Sequence, residues 1–495
     1  MAVNIYPVTK CGEFCNDYTL KINGKPVELH SARVSAVPFN RRWPGHQRQK
    51  DQTELINFAL FETDEAVEIE ITAPEPFEKL EIRPRTLGIT PEIDGQTVRF
   101  TLPHAAYFTV EPYGRHRALH IFADPLSHYE VDKNDPSVIY YGPGEHEVGQ
   151  IRLESGQTLF IDEGAVVYSC ITARGADNIR ILGRGILDNS HNKEKILYEC
   201  NAVDNFAAVE NAERQHTVQL NYCDNVLIDG ITIRDSLVYN IRPVCCDGMT
   251  IRNVKIIGCW RYNSDGIDSH NCSNMRITDC FLRTFDDSIC VKGLDCWQAP
   301  EEIYYKDRVY LNAENILVEG CTVWNDWANA LEIGAETRAD EIRNVTYRDC
   351  HIIHMTGPTF GCFNVDRAEV HDILYENITV EYDDVYNKEA IQKADGEVYH
   401  NPDPNSYPRL VYINTDYHAE YSEDAERRGI NHDFTYRNIR TYGRHPLRIQ
   451  IDGYDEKHKS YNIFFEDIYH NDRRIEDCSE LQLQLGEFAE NVRLK

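Results

Sequence analysis

The sequence predicts an all-β protein, a parallel β-helix over residues 146–495 preceded by an antiparallel β-sandwich over residues 1–145. Three observations carry that expectation. A nine-residue pattern recurs from about residue 176 onward, beginning with "NIRILGRGI" at Asn178 and "NVLIDGITI" at Asn225. Within each segment apolar residues fall at alternate positions, then a turn, then alternate positions again, which describes two short strands meeting at a bend. The first 145 residues instead break into short alternating runs divided by Pro, Gly and Asp, the pattern of an antiparallel sandwich.

Taken in order, "YTLKING", "AVEIEITA", "LEIRP", "TVRFTLP", "YFTVEP" and "ALHIFAD" are the expected sandwich strands. "GPGEHEVGQIRLESGQTLFIDEGAVVYSCI" then leads into the first coils. The repeat continues with "GMTIRNVKI" from Gly248, "NMRITDCFL" from Asn274, "NILVEGCTV" from Asn315 and "NVTYRDCHI" from Asn344. It ends with "DILYENITV" from Asp372, "DFTYRNIRT" from Asp433 and "NIFFEDIYH" from Asn462. Uninterrupted segments begin about 23–29 residues apart, which leaves no room for a helix and fits one coil of a β-solenoid. The leading Asn is expected to stack on itself from coil to coil, its amide bonding along the ladder. Cys280, Cys321 and Cys350 take the same place in three successive units and are expected to stack in the core as small hydrophobes. Insertions at about 191–216, 295–312 and 385–430 are expected as loops, a usual location for a binding face.

Composition narrows the partners. The 495 residues carry 51 basic and 81 acidic side chains, a net charge of -30, which argues against nucleic acid and anionic membrane. No run approaches the roughly 18 apolar residues of a membrane span. "MAVNIYPVTKCGEFCND" lacks a basic stretch followed by an apolar one, so a cytoplasmic location with reduced thiols is expected. The 16 cysteines show no paired zinc spacing, and the lone "CGEFC" (Cys11, Cys15) is not read as a metal site. Neither cofactor nor metal is expected, and nothing in the sequence fixes an oligomeric state.

The chemistry concentrates in "RYNSDGIDSHNCSNMRITDCFLRTFDDSICVKG", residues 261–293, which places Asp265, Asp268, Asp286 and Asp287 in one apolar-patterned stretch. Like charges so close repel unless they are solvated, bind a cation or perform chemistry. Aligning Ile267, Ile289 and Leu331 as inward residues puts Asp265, Asp287 and Asn329 in one column and Asp268, Cys290 and Glu332 in the next. With about 4.8 Å between coils and 3.3 Å along a strand, Asp265 and Asp286 should have Cα atoms about 6 Å apart. Their carboxyl groups could then reach the roughly 6.5–9.5 Å separation that admits a water in an inverting glycosidase. An ideal strand would point Asp286 and Asp287 to opposite sides, so both reach a cleft only where the backbone turns.

"NSDGID" followed by "DDSICVKG" resembles the NTD…DD signature of polygalacturonases and their right-handed, pectin lyase-like β-helix relatives, which include dextranases. The resemblance spans roughly residues 140–480. It implies an inverting glycoside hydrolase in which Asp286 is the general acid while Asp265 and Asp287 hold and deprotonate the attacking water, with Asn263 of the same motif in the cleft. Two departures accompany it. Asn329 of "ANALEIG" stands where the family has a histidine, and the basic motif that grips a galacturonate has no clear match in "FGCFNVDRAEV", where Arg367 is the nearest candidate. Glu332 and Glu336 add negative charge to that wall, so the resemblance carries the reaction class and not the pectin substrate.

Asp268, Lys292, Trp324, Trp327, Asn329, Glu332, Glu336 and Arg367 complete the expected sugar-binding set. Tryptophan faces suit a sugar ring, and four of the five tryptophans (Trp260, Trp297, Trp324, Trp327) cluster in these units; packing at a loop base fits them equally. His270 and His354 are read as structural, and Lys292 as a partner of the acidic groups, a ligand of sugar hydroxyls or a solvated lysine. The carboxylates alone also admit solvated turn aspartates or a Ca²⁺ site. The rival functions are a calcium-dependent polysaccharide lyase and a non-enzymatic carbohydrate-binding β-helix. The expected substrate is a short neutral or mostly neutral oligosaccharide attacked from a chain end.

Overall fold

The computed structural model describes residues 3–36, 53–126, 129–191, 216–261, 263–296, 300–382, 390–391, 398–399, 408–419 and 421–495. Trp297, Arg41 and Arg42, most of the insertion expected at 191–216 and part of that expected at 385–430 lie outside the described residues.

The chain folds as a right-handed parallel β-helix behind an N-terminal pair of β-sheets. Thirty strands from Val138–Tyr141 to Ala489–Leu494 form one continuous ladder, so the expected boundary at 145/146 falls inside the strand Gly144–Arg152. Coil follows coil with in-register parallel pairing: Ile267 pairs with Ile289, Ile289 with Leu331, Leu331 with Phe360 and Phe360 with Val411. Like residues therefore stack. Tyr347, Tyr375, Tyr436 and Phe465 form an interior column with ring centroids 4.9, 4.9 and 5.0 Å apart and nearly parallel planes. Cys280, Cys321 and Cys350 form another, all buried and none in a disulfide.

The leading Asn explains why the pattern repeats. Asn178, Asn225, Asn274, Asn315, Asn344, Asp372, Asp433 and Asn462 all have φ between 53° and 59°, the left-handed region that Asn and Asp tolerate best after Gly. Where the series has Gly248 instead, φ is 71°. The amides bond from coil to coil as expected: Asn225 Nδ2 donates to Asn178 Oδ1 at 2.6 Å, Asn315 to Asn274 at 3.1 Å and Asn344 to Asn315 at 3.2 Å. A second left-handed column runs through the sixth position of the segments (Gly230, Asn253, Asp279, Gly320, Asp349, Asn377, Asn438, Asp467) and makes the bend between the two strands of each unit.

In the N-terminal region a six-stranded sheet packs against a five-stranded one around Leu20, Phe61, Ile69, Val98, Phe108 and Ile121. The sequence pattern overlooks the strands His30–Ser35 and Thr53–Thr63. In the latter, Ala59 and Phe61 face the sandwich core, while Ile56, Phe58 and Leu60 face a second cluster containing Phe281, Trp324 and Ile353 of the β-helix. A strand apolar on both faces shows no alternation. Buried ions tie the same interface: Lys255 and Arg184 both meet Asp124, at 2.9 and 3.3 Å, and Arg184 also meets Glu62 at 3.0 Å.

The left-handed columns make a sharp prediction at the exposed Asn344. Asn344→Val should destabilise by about 1–2 kcal/mol for backbone strain plus about 1 kcal/mol for the lost ladder bond, whereas Asn344→Gly should lose only the bond. Denaturant midpoints of the two variants test this, and equal losses would mean that the left-handed geometry does not govern the position.

Candidate active site

The cleft lies on the outer side of the strands Ile241–Val244, Ile267–His270, Ile289–Lys292, Leu331–Ala335 and Phe360–Asn364. Its volume is about 200 Å³, and its walls include Tyr239, Asn263, Asp265, Asp286, Asp287 and Lys292. Trp327, Asn329, Glu332, Glu336, Phe363 and Tyr421 complete the lining used below.

Register sets the columns. Asp268 pairs with Cys290 and Cys290 with Glu332, the order expected from the sequence. One residue earlier on each coil, Gly266 N donates to Asp287 O at 2.8 Å and Ser288 N to Asn329 O at 2.9 Å, which stacks Asp265, Asp287 and Asn329. Gly266 permits this closeness, since a Cβ there would lie 2.2 Å from Ser288 O.

Asp286 and Asp287 both face the cleft because the chain bends at 285–288 instead of continuing as a strand. Three buried side chains hold the bend. Thr284 Oγ1 and Asn325 Nδ2 each donate to Asp286 O at 2.7 Å, and Asn325 Nδ2 also reaches Asn329 O at 3.1 Å while Ser288 Oγ bonds Thr284 Oγ1 at 2.7 Å. Asn325 and Thr284 are functional supports that the sequence reading missed. Both sit in strands that read as ordinary repeat, and only the turn that follows each could have marked them.

As a result, Asp265, Asp286 and Asp287 each place one oxygen within 4.8 Å of the others. This nearest-oxygen spacing is shorter than the roughly 6.5–9.5 Å expected between the carboxyl groups of an inverting pair, and the clamped bend is the reason. Two oxygens that both accept from one water stand roughly 4.3–4.7 Å apart, so the cluster matches a single bound water.

The three carboxyls sit in different surroundings. Burial, then the neighbouring Asp287, pushes Asp286 well above the usual carboxylate range. Its oxygens accept from the backbone N–H groups of Asn263 at 3.2 Å and Asp287 at 3.0 Å, which fix its direction. Asp287 is less buried, and its Oδ1 accepts from both Asn329 N and Asn329 Nδ2 at 2.9 Å. Asp265 is pushed up by burial and by Asp286 and Asp268. Below it, Lys292 Nζ lies 2.8 Å from Asp268, 3.2 Å from Glu336 and 3.7 Å from Asp265. Burial opposes the lysine charge, but Asp268 and Glu336 outweigh it and hold the ammonium charged.

Two groups have ligand atoms close enough for a cation, namely Asp265–Asp286–Asp287 and Asp287–Cys290–Glu332. Lys292 supplies positive charge to the first of these, 3.7 Å from Asp265.

The structure corrects three of the expected sugar contacts, Trp324, Asp268 and Arg367. Trp324 is fully buried in the interface with the sandwich, bonded to Asp326 at 2.9 Å and packed beneath Arg283 at 3.9 Å. Among the described tryptophans only Trp327 reaches the cleft, resting on Phe285; Trp260 is buried and bonds Asp235. Asp268 is fully buried beneath Lys292 and does not line the cleft. Arg367 binds Glu423 at 2.7 Å, and Arg338 reaches the same carboxylate at 3.4 Å, so both arginines anchor the loop that brings Tyr421 to the cleft. His354 bonds Glu111 at 3.0 Å across the interface, and His270 donates Nδ1–H to Gly293 O at 2.9 Å, structural roles for both.

A solenoid bearing this carboxylate trio on adjacent coils defines a class, and the chain is polygalacturonase-like, of the right-handed parallel β-helix clan that also contains dextranases. The family model described as "Glycosyl hydrolases family 28" matches residues 149–393. A probable polygalacturonase of Vitis vinifera is 32% identical over 81 residues, 16% of either chain. The chain covers 16% and 26% of the lengths of the two curated relatives it matches. Dex49A from Penicillium minioluteum superposes with a TM-score of 0.62 at 13% identity, over 98% of this chain and 96% of its own. A hyperthermoactive exopolygalacturonase from Thermotoga maritima gives 0.52 at 18% identity, over 72% and 83%. At these identities the two structures share the fold.

The raised Asp286 makes stability depend on pH. A carboxyl whose folded pKa exceeds its unfolded value of about 3.9 contributes fully below that value and loses the contribution as pH rises toward the folded pKa. Asp286→Asn removes this penalty, so it should melt above the parent protein at pH 8, with the gap closing toward pH 4. Calorimetry across that range tests it; a gap independent of pH would contradict the protonated carboxyl.

Proposed function

We propose that this protein hydrolyses O-glycosidic bonds with inversion, acting from the chain end of short neutral or mostly neutral oligosaccharides. The observation that carries the reaction is the trio Asp265, Asp286 and Asp287, one oxygen of each within 4.8 Å, with contrasting surroundings. Two carboxyl groups pushed apart in pKa supply an acid and a base. Asp286, held protonated by burial and by Asp287, gives its proton to the leaving oxygen. Asp287, bonded by two Asn329 donors, takes a proton from the water that it and Asp265 hold, and that water attacks the anomeric carbon from the opposite face.

The substrate half rests on which hydrogen-bonding groups are spare. Asn263 Oδ1, Asp265 Oδ1 and Asn329 Oδ1 are buried at the cleft without a protein donor. These acceptors call for hydroxyl donors, which a neutral sugar has in number, whereas a uronate carboxylate brings further acceptors. Lys292 is the one cation among the described lining residues, and three carboxylates already share it. Trp327 and Tyr421 offer aromatic faces to a ring, and the loop tied down by Glu423 carries Tyr421 to the cleft wall, an added segment that favours attack from a terminus.

Purified protein tested against neutral and uronic oligosaccharides should release a terminal sugar from a neutral one. Proton resonance should show the first-formed anomer opposite to the substrate linkage. Asp286→Asn should lose roughly 10²–10⁴-fold in kcat on an unactivated glycoside while remaining folded. A ladder of intermediate products from polygalacturonic acid would overturn the substrate assignment, a retained anomer the mechanism, and loss of activity on chelation restored by Ca²⁺ would favour a lyase.

A further inference from the structure

Beside the trio stands a fourth carboxyl without a role in proton transfer to the sugar. Glu332 follows Cys290 in the outward column of the ladder, is 1% exposed, and belongs to the cleft wall. Its carboxyl, the Asp287 carboxyl and Cys290 Sγ lie within 4.8 Å of one another, and Cys290 Sγ donates to Glu332 Oε2 at 3.5 Å.

We propose that Glu332 is a positioning residue for the base: a neutral carboxylic acid that donates a hydrogen bond to Asp287, keeping that carboxylate ionised and aimed at the water. The inference rests on the assignment of Asp287 as base.

The surroundings leave Glu332 little alternative. Asp287 faces it from the clamped bend, Cys290 and Lys292 from Ile289–Lys292, and Asp268 from Ile267–His270. On the far side stand Cys362 and, through its hydroxyl on the Glu332 carbonyl at 2.9 Å, Tyr347, with Tyr375 beyond. Lys292 is the single cation in this set, and its ion pairs go to Asp265, Asp268 and Glu336. An ionised Glu332 would set two unpaired charges side by side in a buried wall. Burial and then the Asp287 charge accordingly push its pKa well up. The proton left on Glu332 gives Asp287 a third donor beside the two from Asn329.

The test is a carbon-13 carboxyl titration of the full chain, labelled at Asp and Glu side chains, in the parent protein, Glu332→Gln and Glu332→Ala. Glu332 should remain protonated through pH 7. Glu332→Gln, whose amide still donates, should leave the Asp287 midpoint in place, and Glu332→Ala should raise it by about one unit. A Glu332 that titrates near its ordinary 4.3, or a lowered Asp287 midpoint in both variants, would overturn the proposal, because removing a neighbouring negative charge has that effect. If Glu332→Ala does not fold, the parent and Glu332→Gln titrations still decide. No substrate is needed, so failure to cleave any oligosaccharide would overturn the assigned reaction while leaving the Glu332–Asp287 bond to be judged by its own readout.

Discussion

Everything in this molecule depends on coil register, and register depends on two columns of residues in left-handed backbone conformation. An L-residue with a Cβ pays roughly 1–2 kcal/mol there unless it is Asn or Asp, so the chain can turn only where such a residue or glycine stands. Asn178 through Asn462 mark one corner and Gly230 through Asp467 the other, and along the first corner side-chain amides join Asn225 to Asn178, Asn315 to Asn274 and Asn344 to Asn315. Slippage by one residue would move an Asn out of its corner and turn the apolar columns toward water. The stacked tyrosines and buried thiols inside the solenoid follow from that constraint.

The same register is what allows charge to gather on the outside. Tyr239, Asn263, Asp265, Asp287 and Asn329 come to one wall because the coils on which they sit cannot shift. Concentrating carboxyls there is costly, and the structure offsets the cost in three ways. Lys292 is shared by three of them, backbone and Asn329 donors stabilise others, and burial with neighbouring charge pushes Asp286 and Glu332 well above the usual carboxylate range. That uneven treatment is what a reaction needing one acid and one base requires.

Much of this was legible in the sequence. The nine-residue pattern indicated the solenoid, the leading Asn its ladder, and the alignment of Ile267, Ile289 and Leu331 the columns that the strands adopt. What could not be read had particular causes. Thr53–Thr63 serves two cores and so lacks alternation. The inward turn of Asp286 and Asp287 depends on Asn325, some forty residues later in the chain and one coil away. Trp324 and Arg367 are the residue types a sugar site uses, but Trp324 faces the sandwich and Arg367 faces a loop carboxylate, and local sequence carries neither partner. Asp268 belongs to the right column but lies beneath Lys292, a depth that spacing alone does not encode.

The central claim is that Asp286 gives a proton to the leaving oxygen while Asp287 removes one from water. It is tested most directly with a dinitrophenyl glycoside of the sugar that the protein releases, a leaving group that departs without protonation. On this substrate Asp286→Asn should regain most of the rate it loses on the natural linkage, whereas Asp287→Asn should stay impaired, since water must still be activated. Equal impairment of the two variants, or recovery of Asp287→Asn alone, would contradict the assignment of acid and base.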